Sequence, residues 1–262
     1  GRSMTALTLN PGALRLQELR KMWSGAVKVV LPASAARAIG ASAQAVDAIV
    51  ARGLPAYGIN TGFGKLASTQ IAPADLQQLQ LNLIRSHSVG VGPALADGVS
   101  RLVLAMKVAS LARGHSGVRP VVIDTLLAML DADLLPVMPG KGSVGASGDL
   151  APLSHMTLAL IGEGALRHAG VERPAAAALA DAGIAPLRLA AKEGLALING
   201  TQVSTALALH GLFLAERVFA AAVVSGSLAV DAARGSDAPF DARIHEVRGQ
   251  RGQIETAARY RD

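Results

Sequence analysis

Between positions 194 and 215 the chain carries no charged residue. That run is long enough to raise the question of a membrane, because about 20 apolar residues can span a bilayer. It also holds Asn199, Thr201, Gln202, Ser204, Thr205 and His210, and so many polar groups are costly in lipid. A helix enclosed in a large bundle fits the run better. From 192 to about 234 the pattern is apolar on nearly all sides, interrupted at Asn199-Gly200 and at Gly226. Helices apolar all round belong inside such a bundle.

Apolar residues make up 51% of the 262, but aromatics only 3%, so a core must be built from Ala, Leu, Val and Ile. That composition suits closely packed helices. Hydrophobic spacing predicts helices over 12–22, 73–87, 98–113 and 120–134. Pro73 and Pro120 stand in first-turn positions, where proline is tolerated. Ser42 is a plausible N-cap for "AQAVDAIVAR", and a further helix should begin near 150. "VKVVLP" reads as a short strand ended by Pro32, and "VERPAAAALADAGIAP" as a surface helix and turn. "YGINTGFGKLAS", residues 57–68, reads as a loop, and "VGVGP" as a break. The expected fold is mostly α. An N-terminal mixed, largely helical domain covers 4–190, and 191–262 opens a long central helical bundle. Residues 1–3 read as an expression scar before Met4. The last, polar segment stops without a cap or closing element, which suits a cut chain as well as an ordinary tail.

The formal net charge is +6, which first suggests nucleic acid. Lys and Arg are instead spread singly, with no basic run and no interleaved aromatics, so a solvated basic surface is the better reading. No nucleic-acid or membrane partner is expected. Cysteine is absent, which removes disulfides and thiolate metal sites and fits a cytoplasmic location. The six histidines form no ligand-spaced pair, so a metal site has no support.

One stretch stands apart: "KGSVGASGDLAPL", residues 141–153. Four glycines, Gly140, Gly142, Gly145 and Gly148, fall here, and the triplet Ala146-Ser147-Gly148 sits among them. Gly140 to Gly145 matches G-x-G-x-x-G, but "LLPVMP" precedes it where that fingerprint needs a strand. "TGFGKL" fails as a phosphate loop, because Ile59 and Leu66 stand where Gly and Ser/Thr are required. Ser147 fails as a hydrolase nucleophile elbow, because Asp149 replaces the last glycine. A structural serine in a glycine turn is the plain alternative. A third chemistry fits the triplet. The Gly148 amide nitrogen can attack the Ala146 carbonyl carbon and close a five-membered ring. Loss of water from the ring and from the serine then leaves an electrophilic exocyclic methylene. Glycine suits the attacking position because it lacks a Cβ, and neighbouring glycines let the backbone bend as a regular helix would not.

"GSVGASGDLAPLSHM" strongly resembles the signature of the aromatic amino acid ammonia-lyases. "YGINTGFG" resembles that family's mobile tyrosine loop, and "NGTQ" at 199–202 its asparagine motif. The resemblance implies a 4-methylidene-imidazol-5-one formed autocatalytically from Ala146, Ser147 and Gly148, with no metal and no nucleotide. It makes Tyr57 the general base for the β-proton, where a packed tyrosine would otherwise be preferred. It makes His87 and Asn199 substrate-binding residues, rather than a core histidine and a helix cap. Asp149 supports ring formation or, equally, caps the next helix. The pair Ser86-His87 points to the branch that deaminates L-histidine to trans-urocanate. The stretch from Ser236 to Phe240 and beyond agrees with that branch. Other members of the family act on tyrosine or phenylalanine or are aminomutases, and a non-catalytic helical interaction protein is the competing class. By the resemblance, this chain is about half of a homotetramer's subunit and lacks the C-terminal arginine, second tyrosine, aromatic and glutamate of the site. It is therefore expected to be inactive alone.

Overall fold

The computed structural model describes residues 6–66 and 68–262. The proposed scar at 1–3 and the start at Met4 lie outside them, as does Ala67 of the predicted 57–68 loop. The chain forms two compact units, divided between Ala208 and Leu209. The first contains β1 (Leu7–Thr8), α1 (Leu16–Ser24), β2 (Val29–Val30), α2 (Ala35–Arg52) and α3 (Leu76–His87). It continues through β3 (Val91–Ala94), α4 (Asp97–Leu111), α5 (Pro120–Asp131), β4 (Leu135–Pro136), β5 (Pro139–Lys141) and α6 (Leu150–Leu160). Then come β6 (Ala165–His168), β7 (Val171–Pro174), α7 (Ala175–Asp181), α8 (Glu193–Ile198) and the start of α9 (Gln202–Ala232). The fold is mostly α, as an aliphatic, aromatic-poor chain requires.

α4 is the axis of the first unit. Val99, Leu102, Val103, Leu104, Ala105, Val108 and Leu111 are buried all round it. It packs on α1 and α5, while α3, α6 and α8 pack on one another. The strands are short accessories. β1 runs parallel to β2, β3 pairs antiparallel with β5, and β4-β6-β7 form an antiparallel sheet. The β6–β7 hairpin registers Ala165 with Pro174 and His168 with Val171.

Several local expectations shift. α1 starts at Leu16 rather than 12, because a turn at Pro11-Gly12 precedes it and the Glu18 carboxylate reaches back to accept from Arg15 N at 2.9 Å. Ser42 is not an N-cap. It lies inside α2, and its Oγ accepts from Gly117 N at 2.8 Å, which ties α2 to the loop before α5. "VGVGP" is not only a break: it forms β3, paired with β5 across the glycine- and proline-rich chain. α7 is half a core helix, with Ala175, Ala178 and Leu179 buried.

The second unit holds α9 from Leu209, a 3₁₀ turn at Ala238–Phe240, α10 (Ala242–Arg248) and α11 (Arg251–Arg261). Gly226 does not interrupt α9. A Cβ there would lie 2.1 Å from the Tyr260 hydroxyl, so the missing side chain lets that ring pack against the helix. Tyr260 in turn stacks on Phe240 at 4.8 Å between ring centres. Asp241 caps α10 by accepting from Arg243 N at 2.9 Å. The expectation that this stretch is enclosed does not hold within this chain. Val218, Phe219, Val224 and Leu228 are all more than half exposed. By length and apolarity alone, Glu193–Ala232 could also cross a membrane. Exposed apolar residues in such number are unusual on a helix facing water.

Trp23 is the only tryptophan. It rests where Gly98, in the first turn of α4, has no side chain. A Cβ at Gly98 would stand 2.6 Å from the Trp23 carbonyl oxygen and 2.5 Å from its ring. Ala is the better helix former by about 1 kcal/mol, but a backbone carbonyl cannot yield as a side-chain tip can. Gly98→Ala should therefore destabilise the chain by a net ~1–2 kcal/mol through overpacking. Urea unfolding followed by Trp23 fluorescence measures both the lower midpoint and the disturbed environment of the indole.

Candidate active site

The glycine loop runs from Gly142 to Asp149 without regular structure and bends at Ala146–Gly148. Its organiser is Asp149, which is fully buried. Oδ2 accepts from Ser143 Oγ at 2.5 Å and Oδ1 from Val144 N at 3.0 Å. Asp149 stands at the N-cap position of α6 but makes no capping bond there. The carboxylate is used to curl the loop back on itself, not to cap the helix. Ala146 and Ser147 are exposed and Gly148 is half-buried.

The asparagine motif closes against this loop. A Cβ on Gly148 would lie 3.0 Å from Asn199 Oδ1, so the asparagine amide occupies the space that any larger residue would need. The Gly200 carbonyl accepts from Asp149 N at 3.5 Å. Gln202 folds back over Gly200, where a Cβ would meet Gln202 Oε1 at 2.2 Å. Sequence reasoning offered a helix cap as the alternative for Asn199. Both hold: Asn199 is the C-cap of α8, with extended backbone, and its side chain lies against Gly148.

α8 carries Asn199 and is held at both ends. At its start the Glu193 carboxylate is buried and accepts from Arg119 Nε at 2.8 Å, Arg119 Nη2 at 2.8 Å, Arg119 N at 3.0 Å and Ala190 N at 2.7 Å. Gln80 of α3 accepts from Leu195 N at 3.3 Å. At the far end the Lys107 ammonium, projecting from α4, donates to Ala196 O at 3.3 Å and Asn199 O at 3.2 Å. Lys107 is 1% exposed, and burial pushes its pKa down to about 7.

The tyrosine loop sits on the same helix. Gly58 has φ +77, and a Cβ on it would stand 2.7 Å from Leu195 Cδ2. Only a glycine takes that backbone shape so near α8. Asn60 knots the loop: its Oδ1 accepts from Ala56 N at 2.7 Å, and its Nδ2 donates to Leu54 O at 2.9 Å. Tyr57 itself is exposed and lies edge-on to Phe63 at 6.1 Å. Phe63, Thr69 and Ile71 line a cavity of about 310 Å³ together with Leu83, Ser86 and His87 of α3. His87 Nδ1 lies 2.8 Å from Leu83 O. A carbonyl only accepts, so Nδ1 carries a proton, and in the neutral ring Nε2 is then the acceptor nitrogen.

Of the residues chosen from sequence, the structure brings Asn199, Gly148 and Asp149 into contact. Tyr57 is linked to them through Gly58 and α8, and to His87 through Phe63 and the cavity. It draws no hydrogen bond from Tyr57 or His87 to Ala146–Gly148. Sequence reasoning missed Lys107, Gln80, Glu193 and His155. A lone lysine within "RLVLAMKVASL" was the available signal for Lys107, since a charge inside an apolar helix needs a partner.

The profile of the family "Aromatic amino acid lyase" matches residues 14–262. The chain belongs to the aromatic amino acid lyase family. It is 58% identical over 258 residues to "Histidine ammonia-lyase" of Enterobacter sp. (strain 638), across 98% of this chain and 51% of that protein. It is 58% identical over 259 residues to the protein of the same name in Paracidovorax citrulli (strain AAC00-1), across 99% and 51%. The chain thus spans about half the length of the curated relatives it matches. Among solved structures, histidine ammonia-lyase from Trypanosoma cruzi aligns with a TM-score of 0.88 at 37% identity, over 98% of this chain and 50% of that one. Tyrosine aminomutase from Streptomyces globisporus aligns equally well, with a TM-score of 0.88 at 37% identity, over 98% and 48%. The lyase fold is therefore shared by proteins named for different substrates.

His155 of α6 ties the glycine loop to the residue before β3. Its Nε2 accepts from Gly90 N at 3.0 Å, and Gly90 lies close against Pro139 and Gly142. Burial lowers the pKa of His155 from its ordinary 6.5. The folded chain therefore binds this proton less readily than the unfolded chain. Stability from this group is complete above the unfolded value and drains as pH falls through it toward the folded one, by at most about 1.4 kcal/mol per pH unit. His155→Gln keeps an acceptor and removes the titration. Between pH 7 and 5 the urea midpoint of the parent should fall more than that of His155→Gln.

Proposed function

We propose that this chain is the N-terminal half of a histidine ammonia-lyase, which removes ammonia from L-histidine to leave trans-urocanate. One observation carries the reading: the amide of Asn199 lies directly against Gly148 of an Ala-Ser-Gly triplet held in a bent loop by Asp149. The residues fit a 4-methylidene-imidazol-5-one made from Ala146, Ser147 and Gly148. A Cβ on Gly148 would crowd the Asn199 amide, and the triplet is bent rather than helical. When formed, this group supplies an electrophile for a substrate whose β-proton is barely acidic and whose ammonium leaves poorly.

The chain's own residues supply the surroundings. Asp149 holds Ser143 and Val144 so that the backbone before the triplet turns back on itself. Asn199 offers an amide donor and acceptor beside it. Tyr57, on the exposed loop, is the candidate to take the β-proton; a phenol does this near neutral pH only where neighbours lower its pKa. Closure of that loop would exclude water. His87, with Nε2 as acceptor, suits the N–H of the substrate imidazole. The relatives named histidine ammonia-lyase at 56–58% identity favour histidine over the tyrosine substrate named for the aminomutase at 37%. The intact enzyme is read as a cytoplasmic homotetramer, with the remaining site residues supplied by the other half of the subunit and by neighbouring subunits.

Intact mass tests the central step. Ring formation removes two waters, so a matured chain should be lighter by roughly 36 Da than its sequence requires. Ser147→Ala should abolish the methylidene and retain the serine-free backbone mass without the double loss, and Asp149→Ala should slow the loss. A parent chain found wholly at its unprocessed mass would sink the reading. A second outcome concerns activity: purified chain with L-histidine should give no urocanate absorbance. Turnover of histidine by the pure chain would show that the half is self-sufficient.

A further inference from the structure

We propose that Lys107 is a positioning residue for ring formation, acting through the backbone of Asn199. The assignment rests on the reading of Ala146-Ser147-Gly148 as a ring precursor. Lys107 lies on α4 among Leu104, Ala105 and Val108 and is almost wholly buried. An ammonium in such a place is costly to desolvate, and an apolar side chain of similar volume would fill the space without that cost. No ion pair among the described residues includes Lys107. Its two hydrogen bonds go to main-chain carbonyls, Ala196 O and Asn199 O.

Those carbonyls lie at the C-terminal end of α8, where a helix has acceptors without intrahelical donors. Asn199 is held on three sides. Its N–H donates to Leu195 O at 3.0 Å, its carbonyl accepts from Lys107, and its side chain meets Gly148. The first two bonds fix the peptide planes on either side of its Cα, and so the direction in which the amide projects. Its neighbour Gly200 receives Asp149 N. A shift of the Asn199 carbonyl therefore moves both contacts with the loop. The clamp does not depend on charge. A neutral amine retains two N–H groups, one for each carbonyl, so both bonds persist when the lysine loses its proton.

The test is Lys107→Met in the 262-residue chain, which keeps length and apolar volume and removes both donors. Ring closure is followed by intact mass at fixed times after synthesis, with circular dichroism and Trp23 emission as checks of folding. Closure should be about tenfold slower than in the parent, the effect of one lost net hydrogen bond on Asn199 placement. Lys107→Arg, which retains donors, should recover most of the rate. In an Asn199→Ala background, Lys107→Met should add less than about a twofold change, because coupled residues are not additive. Closure by Lys107→Met at the parental rate, multiplication of the two effects, or a Lys107→Met chain that fails to fold while Lys107→Arg also fails to close, each overturns the assignment. The ring reading fails separately: it falls if the parent never loses two waters, whereas equal loss in parent and variant removes the role of Lys107 alone.

Discussion

A helix of six residues, Glu193–Ile198, is too short to hold itself in water, because nucleating a helix costs more than its few internal bonds return. Here it is fastened at both ends by buried ionisable side chains. Arg119 and two backbone amides saturate Glu193 at the start, and Lys107 grips the last carbonyls. The tyrosine loop rests on its middle at Leu195, and Asn199 leaves its end toward Gly148. Three motifs that lie far apart in the chain meet through this helix. Removing Arg119 would leave the buried Glu193 carboxylate without its charged partner, whereas removing Lys107 would leave two helix-end carbonyls without their donor.

The loop that α8 faces depends on one carboxylate and several missing side chains. Asp149 holds the turn from inside, while the absence of a Cβ at Gly148 and Gly58 lets Asn199 and Leu195 come close. The same fold thus combines rigid support with a backbone free to bend where chemistry is proposed. Buried polar atoms without partners occur on the same supports: Gln80 Nε2 on α3, Ser154 Oγ on α6 and Gln202 Oε1 on α9.

Much of the helical framework was legible in the sequence because its signals are local. Pro73 and Pro120 mark first turns, and apolar spacing follows each helix through 3.6-residue periods. The glycine-rich triplet, the tyrosine loop and the asparagine motif were also visible, since each is a contiguous string. Ser42 misled because a serine before an apolar run looks like a cap, whereas its hydroxyl serves Gly117, 75 residues away. β3 and β5 were hidden because glycine and proline are poor strand formers, and only their mutual pairing makes them strands. Asp149 could be read equally as a cap or as a loop partner, and nothing local separates the two.

By itself the sequence determined the helical character of the chain, the bent triplet and the residue types able to close a ring or bind an imidazole. These follow from propensity, from the missing Cβ of glycine and from the chemistry of single side chains. Only the tertiary structure decided that Asn199 lies against Gly148, that Asp149 serves the loop, and that Lys107 of α4 reaches the end of α8. Such facts depend on which buried groups find partners across the core. A lysine in an apolar helix announces that it needs acceptors; where those acceptors lie is settled only when the helices pack.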